Sequence, residues 1–309
     1  QGVSVLAGMP GSSQVDDLQI EMENVAIVGT RATADEGKGG YGISAFGGAN
    51  DEEFHVKLKL KNIWLDNNTT QSMTANRVSI SIDGLIAAHT DIAQNTGLDG
   101  QGLLIWDSQV LGNRIWAEDN YYLGLGFLDR TNVFLESDVK LENVVVKNTK
   151  ENVNVKNYYD WAATNAGISL FFWGGSATAD KVHIEKGVTA GLIAMESVMP
   201  CFVINGRMDL CGTTLSEFSD VTIKDIESDS EGRNGGGVIV MDGAVGMADR
   251  LSVSNTRTAG VLVQNGFRSI SSSDTMAVME NVSVKGTKGR ISDGSFGDGV
   301  VIGPGTAAT

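Results

Sequence analysis

Short apolar runs return along this chain in two alternating kinds. One kind is opened by glycine, as at Gly42-Ile43-Ser44-Ala45, Gly102-Leu103-Leu104-Ile105, Gly124-Leu125-Gly126-Phe127, Gly167-Ile168-Ser169-Leu170, Gly191-Leu192-Ile193-Ala194, Gly237-Val238-Ile239-Val240, Gly260-Val261-Leu262-Val263 and Gly299-Val300-Val301-Ile302. The other follows Asn or Asp, as at Asn24-Val25-Ala26-Ile27, Asn62-Ile63-Trp64-Leu65, Asn143-Val144-Val145-Val146, Asp220-Val221-Thr222-Ile223 and Asn281-Val282-Ser283-Val284. The runs after Lys181 and Arg250 keep the strand without that leading residue. Upstream of the second kind, Leu18, Ile20 and Met22 alternate with Gln19, Glu21 and Glu23, and Val56, Leu58 and Leu60 alternate with Lys57, Lys59 and Lys61. A period of two marks a strand with one face in a core. The pattern predicts three strands per repeat: an alternating strand, an Asn turn, a second strand, a turn, a glycine-led strand and a turn.

The spacing turns this alternation into an architecture. Val182 to Gly191 and Leu251 to Gly260 are each 9 residues, while Gly167 to Val182 is 15 and Gly237 to Leu251 is 14. Gly237 therefore returns as Gly260 after 23 residues, Gly167 as Gly191 after 24 and Gly102 as Gly124 after 22. A repeat of this length, made of β-branched strands and polar turns, predicts an all-β parallel β-helix, a solenoid of coils of about 23 residues stacked directly on one another. One such domain, carrying loop insertions, spans 1–309. Asn tolerates left-handed backbone and its amide can bond the next coil, so Asn24, Asn62, Asn143 and Asn281 are expected to form a structural ladder, with Asn281 buried in it.

From Leu18 to Ile302 these features resemble the right-handed parallel β-helix repeat, or pectin-lyase-like, superfamily. The resemblance is one of repeat. It implies a right-handed solenoid and a choice among polysaccharide lyases, glycoside hydrolases, phage tailspikes, adhesins and surface proteins without known chemistry. The Asn-Thr-Asp and Gly-His-Gly motifs typical of the hydrolase branch are absent, and His55, His89 and His183 each lack glycine on both sides.

Charge narrows the partners. Lys and Arg number 23 against 38 Asp and Glu, a net −15, with the basic residues scattered singly. DNA, RNA and anionic membranes are repelled, and so are polyuronates unless calcium mediates. A neutral glycan, a cation or another protein is the easier partner. Apolar runs are too short for a transmembrane helix, so no membrane insertion is expected, and residues 1–20 lack a signal-peptide pattern. Cys201 and Cys211 fall in an insertion between Gly191 and Val221, where a disulfide would close a loop and favour an extracellular or cell-surface setting; two buried free thiols are the alternative. The sequons at Asn67 and Asn68 point to the same compartment as glycosylation sites, and so does the triplet at Asn281.

Three groups of residues are candidate sites. The connections from the second strand to the next glycine lengthen from 9 residues to 17 after Val25, 23 after Val144, 16 after Val221 and 17 after Val282. These insertions should therefore leave one corner and cluster along one edge. The longest carries Tyr158, Tyr159 and Trp161, rings suited to a glycan or protein; another segment carries Trp116, Tyr121 and Tyr122. The fifth position after the leading glycine is Asp107, Asp129, Glu196 and Asp242, then Asn265. This column is read either as strand-end turns, as a calcium site at Asp107 and Asp129, or as a general acid and base, with Arg130 and His183 as charge partners. No other cofactor is expected. The last strand, at Gly299, is followed by seven residues with no helix pattern to blunt the edge, which suggests a longer chain or head-to-tail self-assembly into a filament. The first functional reading is a non-enzymatic structural or adhesive protein binding glycan or protein through loops on one edge. The second is a polysaccharide lyase or glycoside hydrolase.

Overall fold

The computed structural model describes residues 2–6, 17–33, 39–47, 54–93, 100–129, 138–156, 165–196, 215–265, 275–304 and 306–309. Among these there is no helix, and the strands form two eleven-stranded sheets whose successive members come from successive coils. Within each sheet the coil-to-coil pairing is parallel, as at Leu103 with Leu125 and Leu170 with Leu192, each an advance of 22 residues. The fold is the expected parallel β-helix.

The cross-section has two sheets where three strands per coil were expected. The alternating strand and the strand after Asn are one long strand, such as Leu18–Val28, Val56–Asp66, Val78–Ala88 or Asp138–Lys147, bent in the middle. The bend is a single left-handed residue in each coil: Asn24, Asn62, Arg114, Asn143, Lys181, Asp220, Arg250 and Asn281 lie at φ between 50° and 57°, with Gly84 at 85°. Where Asn stands at the bend, its amide bridges coils, from Asn62 Nδ2 to Asn24 Oδ1 at 3.0 Å and from Asn143 Nδ2 to Asn113 Oδ1 at 2.9 Å. Where a long cation takes this strained position, it reaches a carboxylate instead: Arg114 to Asp83 at 2.9 Å and Lys181 to Glu142 at 2.7 Å. The ladder is thus on the surface, and Asn281 is exposed rather than buried; its amide donates to Asp249 Oδ1 at 2.8 Å.

A second, inward polar ladder fills the next corner. Asn68 and Asn120 are buried; Asn68 Oδ1 accepts from the Thr30 amide and hydroxyl at 3.1 and 2.7 Å, and Asn120 Oδ1 accepts from the Thr90 amide at 3.0 Å. These bonds satisfy the turn backbone that leaves the sheet there.

The short sheet is built on the glycine column. A Cβ at Gly42, Gly124 or Gly237 would sit 2.5 Å from the carbonyl oxygen of Ser72, Ser169 or Gly260 in the next coil, so only glycine, or a coil displaced to fit, allows the rungs to close. Pairing of Leu125 with Leu170 puts Ser169, not Gly167, in this column, and pairing of Ile43 with Met73 puts Ser72 there for the coil Gln71–Asn76. The lengthened connections after Val25, Val144, Val221 and Val282 all run from the long sheet to a short-sheet strand, and further long connections run from the short sheet back to the long one. Residues 7–16, 48–53, 130–137, 197–214 and 266–274, all outside the described set, follow short-sheet strands, while 34–38, 94–99 and 157–164 precede them. At the other end, Thr306–Ala308 pairs with Thr275–Ala277, so one more rung of the long sheet follows the last glycine strand.

Candidate functional site

The register builds the carboxylate column and explains its gap. Because Ser169 holds the glycine place, the fifth residue of that coil is Gly174. The column therefore runs Arg77, Asp107, Asp129, Gly174, Glu196, Asp242, Asn265 on consecutive rungs. From Arg77 to Asp242 each backbone amide along it bonds the coil above, as from Asp107 to Leu128 O at 2.7 Å, from Asp129 to Trp173 O at 2.6 Å and from Gly174 to Met195 O at 2.9 Å. Asp107 stacks directly below Asp129 and Glu196 directly below Asp242, each one strand spacing, roughly 4.8 Å, apart.

Access is what this column lacks. Asp107, Asp129, Glu196 and Asp242 are 6, 1, 5 and 9 % exposed. Asp107 and Asp242 are left-handed, at φ 45° and 55°, and each begins a tight turn onto the next long strand. Ser108 Oγ, beside Asp107, donates to Trp106 O at 2.6 Å, and the Gly243 amide donates to Thr275 Oγ1 at 2.8 Å. Two of the four carboxylates thus serve turn geometry. Among the described residues no three His, Cys, Asp or Glu side chains are placed to hold a metal ion.

The remaining sequence candidates are dispersed. Tyr158, Tyr159, Trp161, Cys201, Cys211 and Arg130 lie outside the described residues. His183 is near the far end of the long strand Ser176–Glu185, with Nε2 3.3 Å from Glu185 Oε2; it belongs to the outward face and cannot serve the column as a charge partner. Asn67 is exposed and its Oδ1 accepts from Arg31 at 3.2 Å. Asn68 is wholly buried, its amide committed to the inner ladder, so no glycan can sit on it in the folded chain.

A site that the sequence reading missed lies on the outward face of the long sheet, in the half beyond the bend. The register stacks Trp64 on Ile86, Ile86 on Trp116 and Trp116 on Val145. Trp64 and Ile86 are 51 and 43 % exposed, on a sheet whose outward positions are otherwise mostly polar. The bend turns this face into a groove of about 460 Å³, walled by the bend residues Asn62, Gly84, Arg114 and Asn143. Trp116 is held in place: its Nε1 donates to Glu118 Oε2 at 2.9 Å, and the Lys147 ammonium lies 4.9 Å from the ring centroid. Arg114 is paired with Asp83, whose carboxyl its hydrogen bond holds below the usual carboxylate range, so this wall is electrically neutral. The signal was present in the sequence as the second residue after each bend, Trp64 after Asn62 and Trp116 after Arg114. It becomes readable only once the bends are aligned. A second hollow of equal volume, toward the C-terminal coils, is walled by Asp180, Glu217, Asp249 and Glu280, and the ring in its lining, Phe218, is buried.

No protein-family model matches the chain, and no curated protein matches it. Among solved structures it is similar to the catalytic domain of a GH87 alpha-1,3-glucanase variant in complex with tetrasaccharides, at 10 % identity and a TM-score of 0.26. That likeness covers 94 % of this chain and 63 % of the glucanase chain, so the protein spans less than two thirds of its structural neighbour.

Proposed function

We propose that this chain is an extracellular, non-enzymatic β-helix module that holds a neutral glycan on the outward face of its long sheet. One observation carries the reading: Trp64 and Trp116 stand in one column on a rigid, regular face, with Trp64 half exposed and no buried role to account for it. Indole rings offer flat apolar area to sugar C–H faces at little entropic cost, and a sheet fixes their spacing. The net charge of −15 works against acidic polysaccharides. Affinity electrophoresis through gels containing soluble neutral polysaccharides tests it. Retardation is expected for the native chain and its loss for Trp64→Ala/Trp116→Ala; equal mobility of both in every gel would remove the proposal. Peptide mapping without reduction tests the compartment, with a Cys201–Cys211 cross-linked peptide expected.

The second reading, a polysaccharide lyase or hydrolase, is favoured by the one-rung stacking of Asp107 with Asp129 and of Glu196 with Asp242. It predicts release of reducing or unsaturated ends from a polysaccharide, and loss of that turnover in Asp129→Asn and Glu196→Gln.

A further inference from the structure

We infer that the ligand is an extended, equatorially linked neutral glycan lying along the solenoid axis, with Trp64 and Trp116 taking alternate sugar units. This rests on the glycan reading above and specifies the chain that fits. Trp64, Ile86 and Trp116 occupy three consecutive rungs. One rung is roughly 4.8 Å, about the advance of one pyranose in an extended chain, so the two indoles are roughly 9.6 Å apart along the axis. In a chain linked equatorially at C1 and C4, as in β-1,4-glucan or mannan, each ring is turned over relative to the last. Units i and i+2 therefore present the same side, while unit i+1 presents the other. The platform repeats that alternation as ring, aliphatic side chain, ring.

The middle rung is shaped for the odd unit. Gly84 is the only bend residue of the groove without a side chain, and a Cβ there would lie 3.0 Å from Asn62 Oδ1 and 3.3 Å from Arg114 Nη2. Asn62 Oδ1 and Arg114 Nη2 thus close over Gly84 from the two neighbouring rungs and set an acceptor and a donor beside the middle unit. The groove continues past Trp116 onto Val145, while Ala26 precedes Trp64. Three units span the two indoles. An axially linked chain, such as α-1,4-glucan, curves away from a straight column and reaches only one indole.

Titration calorimetry with β-1,4-linked gluco- and manno-oligosaccharides of two to six units, beside α-1,4-linked malto-oligosaccharides, tests this on the native chain. Affinity is expected to rise about tenfold from the disaccharide to the trisaccharide, to level off beyond it, and to be weaker by about tenfold for the α-linked series. Gly84→Asn, which tolerates the left-handed bend but pushes Asn62 Oδ1 and Arg114 Nη2 aside, is expected to erase the step at three units while circular dichroism stays native. A smooth increase through six units, equal binding of the α-linked series, or a trisaccharide step retained in Gly84→Asn would overturn this inference, while binding lost in Trp64→Ala/Trp116→Ala would keep the glycan reading. Absence of binding by every oligosaccharide and polysaccharide would overturn both.

Discussion

The two sheets of one coil face different constraints. Short-sheet strands such as Ala190–Met195 and Gly236–Met241 are buried along their whole length, so neither face is free. Their inward residues join the main core, and their outward residues Leu104, Leu123, Phe171, Trp173, Ile193, Ile239 and Met241 form a second apolar cluster. Long-sheet strands alternate on each side of the bend, as in Val56–Asp66, and leave one face to water. The difference teaches where function can sit. A sheet buried on both faces is occupied with packing, whereas a sheet with one open face can vary its outward positions at little cost.

The comparison can be broken first where packing is tightest. Phe172 is 1 % exposed and lies between Phe127, 5.6 Å away centroid to centroid, and Phe218, at 5.8 Å. Phe172→Ala should cost about 3–5 kcal/mol in urea denaturation. Gly237→Ala comes next, at about 1–3 kcal/mol, because its Cβ would meet Gly260 O at 2.5 Å and backbone cannot yield as a side chain can. Asn120→Ala, which strips the buried Thr90 amide of its acceptor and leaves Ala87 O without its 2.9 Å donor, should cost about 1–3 kcal/mol. On the open face, Trp64→Ala should change stability by no more than about 0.5 kcal/mol. If Trp64→Ala unfolded the chain as readily as Phe172→Ala, the distinction between the sheets would be lost.

The smallest expected effect concerns the surface ladder. Hydrogen bonds from Arg114, Ser219 and Arg250 hold the carboxyls of Asp83, Asp180 and Asp220 below the usual range. Their folded pKa values are depressed, so their contribution is present above the unfolded value, about 4, and is lost as pH falls through the folded values. Thermal midpoints should therefore drop below about pH 4. The drop should be shallower in Asp83→Asn/Asp180→Asn/Asp220→Asn, and modest in both, because these pairs are exposed.

What the sequence made legible follows the same division. Glycine-led strands announced the short sheet because a Cβ at Gly42, Gly124 or Gly237 would come within 2.5 Å of a carbonyl oxygen in the next coil. The coil Gln71–Asn76 was silent, since Ser72 replaces the glycine and the buried Gln71 and Thr74 break the apolar run; Gln71 Nε2 donates to Gln101 Oε1 at 2.6 Å instead. Gly167 misled by two places because the signal is a residue type, while the constraint is a register that Ser169 also meets. The bend was read as a turn because Asn favours it, yet Lys181 and Arg250 adopt the same φ with help from carboxylates in neighbouring coils. The stacking of the four carboxylates was anticipated in part; their burial was not, since alternation along one strand says nothing about what covers its end. Trp64 and Trp116, 52 residues apart, meet on one face only through the register of two intervening pairings.

Calorimetric titration of a soluble neutral β-1,4-glycan into three proteins separates the two regions most directly: the native chain, Trp64→Ala/Trp116→Ala on the long sheet, and Asp107→Asn/Asp129→Asn at the end of the short one. Binding is predicted for the native chain and for the carboxamide pair, and is predicted to vanish in the alanine pair. Binding that survives in the alanine pair and disappears in the carboxamide pair would place the working surface at the buried column and contradict the assignment to the open face.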